Sequence, residues 1–231
     1  MTLTRVAAVL LFEIALGLTS AAQVAKCADV SSESHHSLLY SSSDVRIFRL
    51  DLARLQATDE YCHKYAYLRI IVTDGRTADI ASGGAAMSRN WEPGSTRFVY
   101  TPKPKVTRNE TGGAHREYVV ETLHGVEYNP LHGNYDTDAL PPGIGSVKPT
   151  WTVEAARGPF TIANTQLAPG DNIAVRPPLH FLIALSDVDL STDSGERIQI
   201  PAGDAQLIKA RSTSSLRNVG AARARFMMVE F

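Results

Sequence analysis

The residues best suited to chemistry in this chain are a few histidines, one arginine and one amide, each beside a turn or an aromatic cluster. His63 stands among Tyr61, Tyr65 and Tyr67. That grouping reads either as a polar, aromatic pocket wall with one titratable group or, more plainly, as a strand-edge histidine among packed tyrosines. His180 precedes an apolar run, and as a general base it needs an orienting partner that a sequence does not display. With a tyrosine such as Tyr65, either histidine makes a metal-independent acid–base pair. Arg97 follows Pro93-Gly94. A guanidinium directed inward there demands an anion, either internal or a ligand carboxylate, whereas an outward one is solvated. Gln206 holds the corresponding place after Pro201-Ala202-Gly203, and with Tyr67 and Trp91 these two complete a candidate ligand-binding set. Trp91 and Trp151 either line a mouth or pack.

Other polar clusters carry less. His124, His132, Asp136 and Asp138 crowd one segment but match no calcium-loop spacing. His35 and His36 sit in a Ser-rich stretch and receive no role. Asn109-Glu110-Thr111 is a glycosylation sequon. No Gly-rich phosphate loop follows a strand. The two cysteines, Cys27 and Cys62, form no metal or redox motif; a disulfide and two free thiols both remain open.

The elements that must position these groups are strands. Val45 to Leu52 alternates apolar and polar residues. Shorter runs follow at Leu68 to Thr73, Arg97 to Tyr100, Tyr118 to Leu123, Phe160 to Ile162, Phe181 to Leu185, Arg197 to Ile200, Gln206 to Ile208 and Phe226 to Phe231. Gly, Pro, Asp and Asn separate them, which points to an all-β sandwich or barrel. Only Ala53 to Glu60 suggests a short helical turn. Residues 23–43 read as a flexible leader, and 124–159, crowded with Gly and Pro, as a turn-rich connection between a first half (44–123) and a second (160–231).

The halves resemble each other. With Gly203 placed on Gly94, an offset of 109 residues, Asn218 falls on Asn109. Leu182 to Asp187 matches Arg69 to Asp74 at an offset of 113, so the first half carries a four-residue insertion. Each half ends on an apolar strand and an acid, Glu121 or Glu230. Such landmarks in order indicate a duplication.

Pro201-Ala202-Gly203-Asp204-Ala205-Gln206 resembles the second conserved motif of cupins, and Leu167-Ala168-Pro169-Gly170-Asp171 resembles the opening of the first. The likeness covers 160–231 well and 45–123 more weakly. It implies two jelly-roll β-barrels, a bicupin. Family members often hold a divalent metal with two His and a Glu from the first motif and a His from the second. Here Gln206 and Arg97 occupy the second-motif histidine position, and at most one His per half fits the first motif. Gln ligates poorly and Arg repels a cation, so neither a standard metal site nor a cofactor is expected. Members often dimerise, which leaves a homodimer open.

Composition narrows the partners. A formal net charge of −1 with no basic block argues against nucleic acid. Arg5, the apolar stretch Ala7 to Leu18 broken by Glu13, and the small residues Ser20 to Ala22 have the layout of a signal peptide over 1–22. The stretch is short for a membrane span, and Lys26 before Cys27 argues against lipidation. The expectation is a secreted or periplasmic, metal-free cupin-like protein binding a small polar or anionic molecule. The alternatives are a metal-independent isomerase or lyase, and a structural protein with filled barrels.

Overall fold

The computed structural model describes residues 27–99, 102–123, 128–129, 146–153, 160–175, 179–209 and 215–230. The 1–22 segment and most of 124–159, with His124, His132, Asp136 and Asp138, lie outside these residues, as does the side chain of Trp151.

In the first half the strands are β1 (Ala28–Asp29), β2 (His36–Ser41), β3 (Val45–Leu52), β4 (Tyr61–Cys62), β5 (Tyr67–Ile71), β6 (Gly75–Ala81), β7 (Ala86–Trp91), β8 (Thr96–Val99), β9 (Lys105–Asn109) and β10 (His115–Thr122). They are followed by β11 (Tyr128–Asn129), β12 (Ser146–Val153), β13 (Phe160–Leu167), β14 (Asn172–Ala174), β15 (Leu179–Ala184), β16 (Val188–Thr192), β17 (Arg197–Ile200), β18 (Ala205–Lys209), β19 (Ser215–Asn218) and β20 (Ala224–Glu230). The only helical element among the described residues is a 3-10 turn, Val30–Ser32, and none of their helices is long and apolar enough to cross a membrane. Ala53 to Glu60 forms turns rather than the short helix expected, because Ala57 bridges to Arg108 and Gln56 accepts from the Ala53 N–H.

The strands form four sheets. The first half pairs an outer sheet, β1-β4-β9-β6-β7, with an inner one, β2-β3-β10-β5-β8. In the second half the inner sheet runs β11-β12-β13-β20-β15-β18 and the outer β14-β19-β16-β17. The order of the second half repeats that of the first, with β3, β10, β5 and β8 answered by β13, β20, β15 and β18. Each sheet stays open instead of closing into the barrel expected, because the two sheets of a half meet through side chains, not a shared ladder. The halves are therefore sandwiches.

Period-two patterning decides which face meets what. On β5, Leu68 and Ile70 face the other half, whereas Tyr67, Arg69 and Ile71 face the interior of their own. Val45, Ile47, Tyr118 and Val120 join Ile162, Phe181, Ile183, Met227 and Val229 in one core between the two inner sheets. The second sandwich is filled by apolar side chains, from Leu167 and Leu182 on its inner sheet to Leu190 and Ile198 on its outer. Among the described residues of the first, the apolar cluster is smaller: Val30, Phe48, Tyr61, Tyr67 and Val119.

Residues 28–41, expected to be a flexible leader, form β1, the 3-10 turn and β2. A Cys27–Cys62 disulfide, with Cα atoms 5.8 Å apart, ties the segment to β4. The buried Glu33 carboxylate also lies 2.6 Å from Nδ1 of both His35 and His36. Burial alone would raise its pKa, but these two histidines outweigh that and push it down to about 2.

Candidate functional site

Inside the first sandwich the inward positions are charged where the second sandwich has aliphatics. β5 supplies Arg69, whose side chain is fully buried. Its Nε and Nη2 donate to both oxygens of Glu117 on β10, the shortest contact 2.6 Å, and its Nη1 donates to Asp79 Oδ2 on β6 at 2.7 Å. The guanidinium also stands over the Trp91 ring, 5.2 Å from its centroid, and the Trp91 indole N–H donates to Thr77 Oγ1 at 2.8 Å. A charged group is tolerated at this depth only when paired and hydrogen-bonded on every side, and Arg69 is.

Asp79 is the crowded member. Beyond Arg69 it accepts from Lys105 Nζ at 3.2 Å and Thr107 Oγ1 at 3.1 Å, both on β9, and it faces Arg97 Nη1 at 3.8 Å. Arg97 on β8 lies directly opposite Arg69 in the ladder. Like charges so placed repel, and Asp79 is the anion that separates them. Burial would raise the pKa of Asp79 and of Glu117, but the Arg69 charge beside each holds both below the usual carboxylate range. Burial also works against the charge of Lys105, whose Nζ lies over the rings of Tyr61 and Tyr67; their oxygens and the Asp79 carboxylate outweigh it and keep its pKa high. Tyr61 itself is pushed up to about 12 by burial, so at neutral pH Asp79 is the anion that matters. For Arg97, half-buried, burial and then the charges of Arg89 and Arg69 pull the pKa down.

Deeper in lies His63. Its ring stacks on Tyr67 with centroids 3.8 Å apart and meets Tyr61 edge-on at 5.4 Å. Glu121 Oε1 stands 3.5 Å from Nδ1, and neither ring nitrogen has a hydrogen-bond partner. Burial drives its pKa down to about 4, so the ring is neutral at pH 7.

The structure thus gathers His63, Tyr67, Trp91 and Arg97 in one sandwich. Tyr65 sits at the margin, half-buried, its N–H directed at Glu121 and its ring under Lys64. The other two candidates lie in the second half: Gln206 is exposed on the edge strand β18, and His180 is buried with Nδ1 3.8 Å from Glu230 Oε1. Among the described residues no cluster of three His, Cys, Asp or Glu is arranged to hold a metal ion. Sequence reasoning missed Arg69, Asp79, Lys105 and Glu117. The one visible signal was Arg69 itself, a charge in the middle of the apolar run Leu68 to Val72.

No protein-family model and no curated protein matches the chain. Solved structures do. A cupin 2 conserved barrel domain protein from Leptotrichia buccalis aligns with a TM-score of 0.56 at 9% identity, over 87% of this chain and 89% of its own. AerE from Microcystis aeruginosa aligns at 0.54 and 8% identity, over 84% and 90%. YhaK from Escherichia coli aligns at 0.53 and 15% identity, over 86% and 92%. The chain has the cupin fold. Likeness at such low identity speaks for the fold alone, so function must be argued from the side chains.

Proposed function

We propose that this protein is an exported bicupin whose first sandwich binds a small anionic molecule at the rim formed by Arg97. One observation carries the binding: Arg69, Lys105 and Arg97 all draw on the single carboxylate of Asp79, and Arg97 has the longest contact, 3.8 Å. Glu117 is committed to Arg69. Arg89, exposed on β7, adds a further positive charge to the same rim. A carboxylate or phosphate ligand would relieve this excess, and a guanidinium binds such groups in a two-pronged fashion. Among the described residues the core of the second sandwich is apolar. The repeated strand order supports the duplication. The signal-like segment supports export, and the Cys27–Cys62 disulfide fits an oxidising compartment.

Isothermal titration with a panel of small mono- and dicarboxylates, phosphate and neutral sugars tests the binding. The expected result is heat with anions, none with neutral sugars, and at least a tenfold weakening in Arg97→Ala. Binding of neutral sugars alone, or anion binding indifferent to Arg97→Ala, would overturn the reading.

A further inference from the structure

We propose that residues 27–32 are a redox-released strap that seals the deep end of the first sandwich, latched by the Cys27–Cys62 disulfide. This inference stands independently of the anion reading.

The strap is held by few contacts. Its ladder with β4 has two residue pairs, Ala28 with Tyr61 and Asp29 with Cys62. Asp29 spends its carboxylate locally, on the N–H and hydroxyl of Ser31 at 2.9 and 2.6 Å, and lies 3.5 Å from Arg46. Only Val30 enters the core, where it is fully buried against Phe48, Tyr61, Tyr67 and Val119. One buried valine and two ladder pairs do not offset the chain entropy lost by ordering six residues. The covalent link does, because it fixes the end of the strap to a residue 35 positions away.

What the strap covers is reactive. Tyr61 and Tyr67, which Val30 touches, are the rings that wall His63, and Cys62 is its neighbour in sequence. The groups facing His63 are Glu121, Lys105, His36, Tyr61 and Tyr67. Its nitrogens have no hydrogen-bond partner while the strap is shut. Water admitted at this end gives them partners, so opening removes a desolvation penalty. The chemistry is a two-electron exchange. The Cys27–Cys62 bond breaks, a dithiol reductant donates two electrons and two protons, two thiols remain, and the reductant leaves as its own disulfide. In oxidising surroundings the latch stays shut.

Diethyl pyrocarbonate labelling, read by peptide mass mapping, tests the latch on the full protein before and after dithiothreitol, with thiol titration to confirm two free cysteines. His63 is expected to be protected when oxidised and to label at least tenfold faster when reduced. Backbone amides of β1 and β4 should lose hydrogen-exchange protection, while β10 and β20 keep theirs. The double variant Cys27→Ser/Cys62→Ser should behave as the reduced protein. Unchanged His63 labelling after verified reduction would overturn the proposal. So would loss of protection across β10 and β20, which would make the disulfide a staple of the whole fold.

Discussion

At the scale of single residues, the first sandwich shows two ways of placing a titratable group in a dry interior. Arg69 stays charged because Glu117 and Asp79 neutralise it within hydrogen-bonding distance. His63 stays neutral because burial, with Lys105 beside it, outweighs the Glu121 carboxylate 3.5 Å away, and its pKa falls from the ordinary 6.5 to about 4. The second arrangement has a consequence for stability. Below pH 6.5 the unfolded chain takes up a proton at His63, whereas the folded chain declines it until about pH 4. Stability that is fully present above pH 6.5 is therefore lost progressively down to pH 4, by roughly 3 kcal/mol. Glu33, with its pKa pushed down to about 2 from 4.5, keeps its contribution above pH 4.5 and loses it as the pH falls from there to about 2. Urea midpoints measured between pH 7 and pH 4.5 should fall steeply in the native protein and much less in His63→Phe, which keeps a ring between Tyr61 and Tyr67 but cannot titrate. Equal slopes for the two proteins would show that His63 is not the responsible group.

At the scale of elements, the repeat is made of turns as much as of strands. Asn109 is buried at the end of β9, where its side-chain amide donates to Ala53 O at 3.0 Å and Gly113 O at 2.8 Å and its oxygen accepts from Thr111 N–H at 2.9 Å. Asn218 ends β19 in the same way, donating to Leu167 O at 2.9 Å and Ala222 O at 2.8 Å and accepting from Gly220 N–H at 3.0 Å. Each pins the turn after its strand to the end of a neighbouring one, and a glycan on the Asn109 amide is incompatible with this fold. Asn109→Ala and Asn218→Ala are each expected to cost about 1–3 kcal/mol by leaving buried carbonyls unsatisfied, measured by chemical denaturation; a neutral result at either would mean the turn is held by other contacts. These landmarks were legible in the sequence because side chains that serve backbone geometry recur at fixed spacing. Strands β3, β5, β10, β15 and β20 were legible because one face is apolar. Strands β6, β7 and β9 were not. The inward residues of β6 and β9, Thr77, Asp79, Lys105 and Thr107, are polar, and β7 is exposed but for the half-buried Trp91, so no alternation of hydrophobicity marks them. Asp79, Lys105 and Thr107 escaped notice for the same reason, lying where a strand breaks the pattern that makes strands recognisable, whereas Arg97 was marked by the Pro93-Gly94 turn before it. The 28–41 segment escaped too: β2 pairs along β3 but is mostly exposed and shows no apolar alternation, and the disulfide and the buried Glu33 carboxylate that help hold the segment have no periodic signature.

At the scale of the whole molecule, the two inner sheets share one apolar layer, so neither sandwich is complete alone. Polar contacts reinforce the seam at the turns. In the first half, Arg116 donates to Asp204 Oδ1 at 2.7 Å and to Gly203 O at 3.2 Å, and the Tyr118 hydroxyl donates to the same carbonyl at 3.0 Å. The equivalent Gly94, with φ of 88°, turns close against Leu185 and Asn164 of the second half, where an added Cβ would lie 3.0 Å from Leu185 Cδ1. Each half thus seats its glycine turn on the other, a reciprocity expected when two related units pack face to face. Ile183 lies fully buried in the shared layer. Ile183→Asp places an unpaired carboxylate there, at a cost expected to exceed about 4 kcal/mol. Because the layer belongs to both inner sheets, the damage should not stay in the second half: amides of β5 and β10 should lose hydrogen-exchange protection together with those of β15 and β20, in one transition. A variant in which the first half keeps its protection while the second unfolds would show instead that the halves are independently stable and that the seam merely joins them.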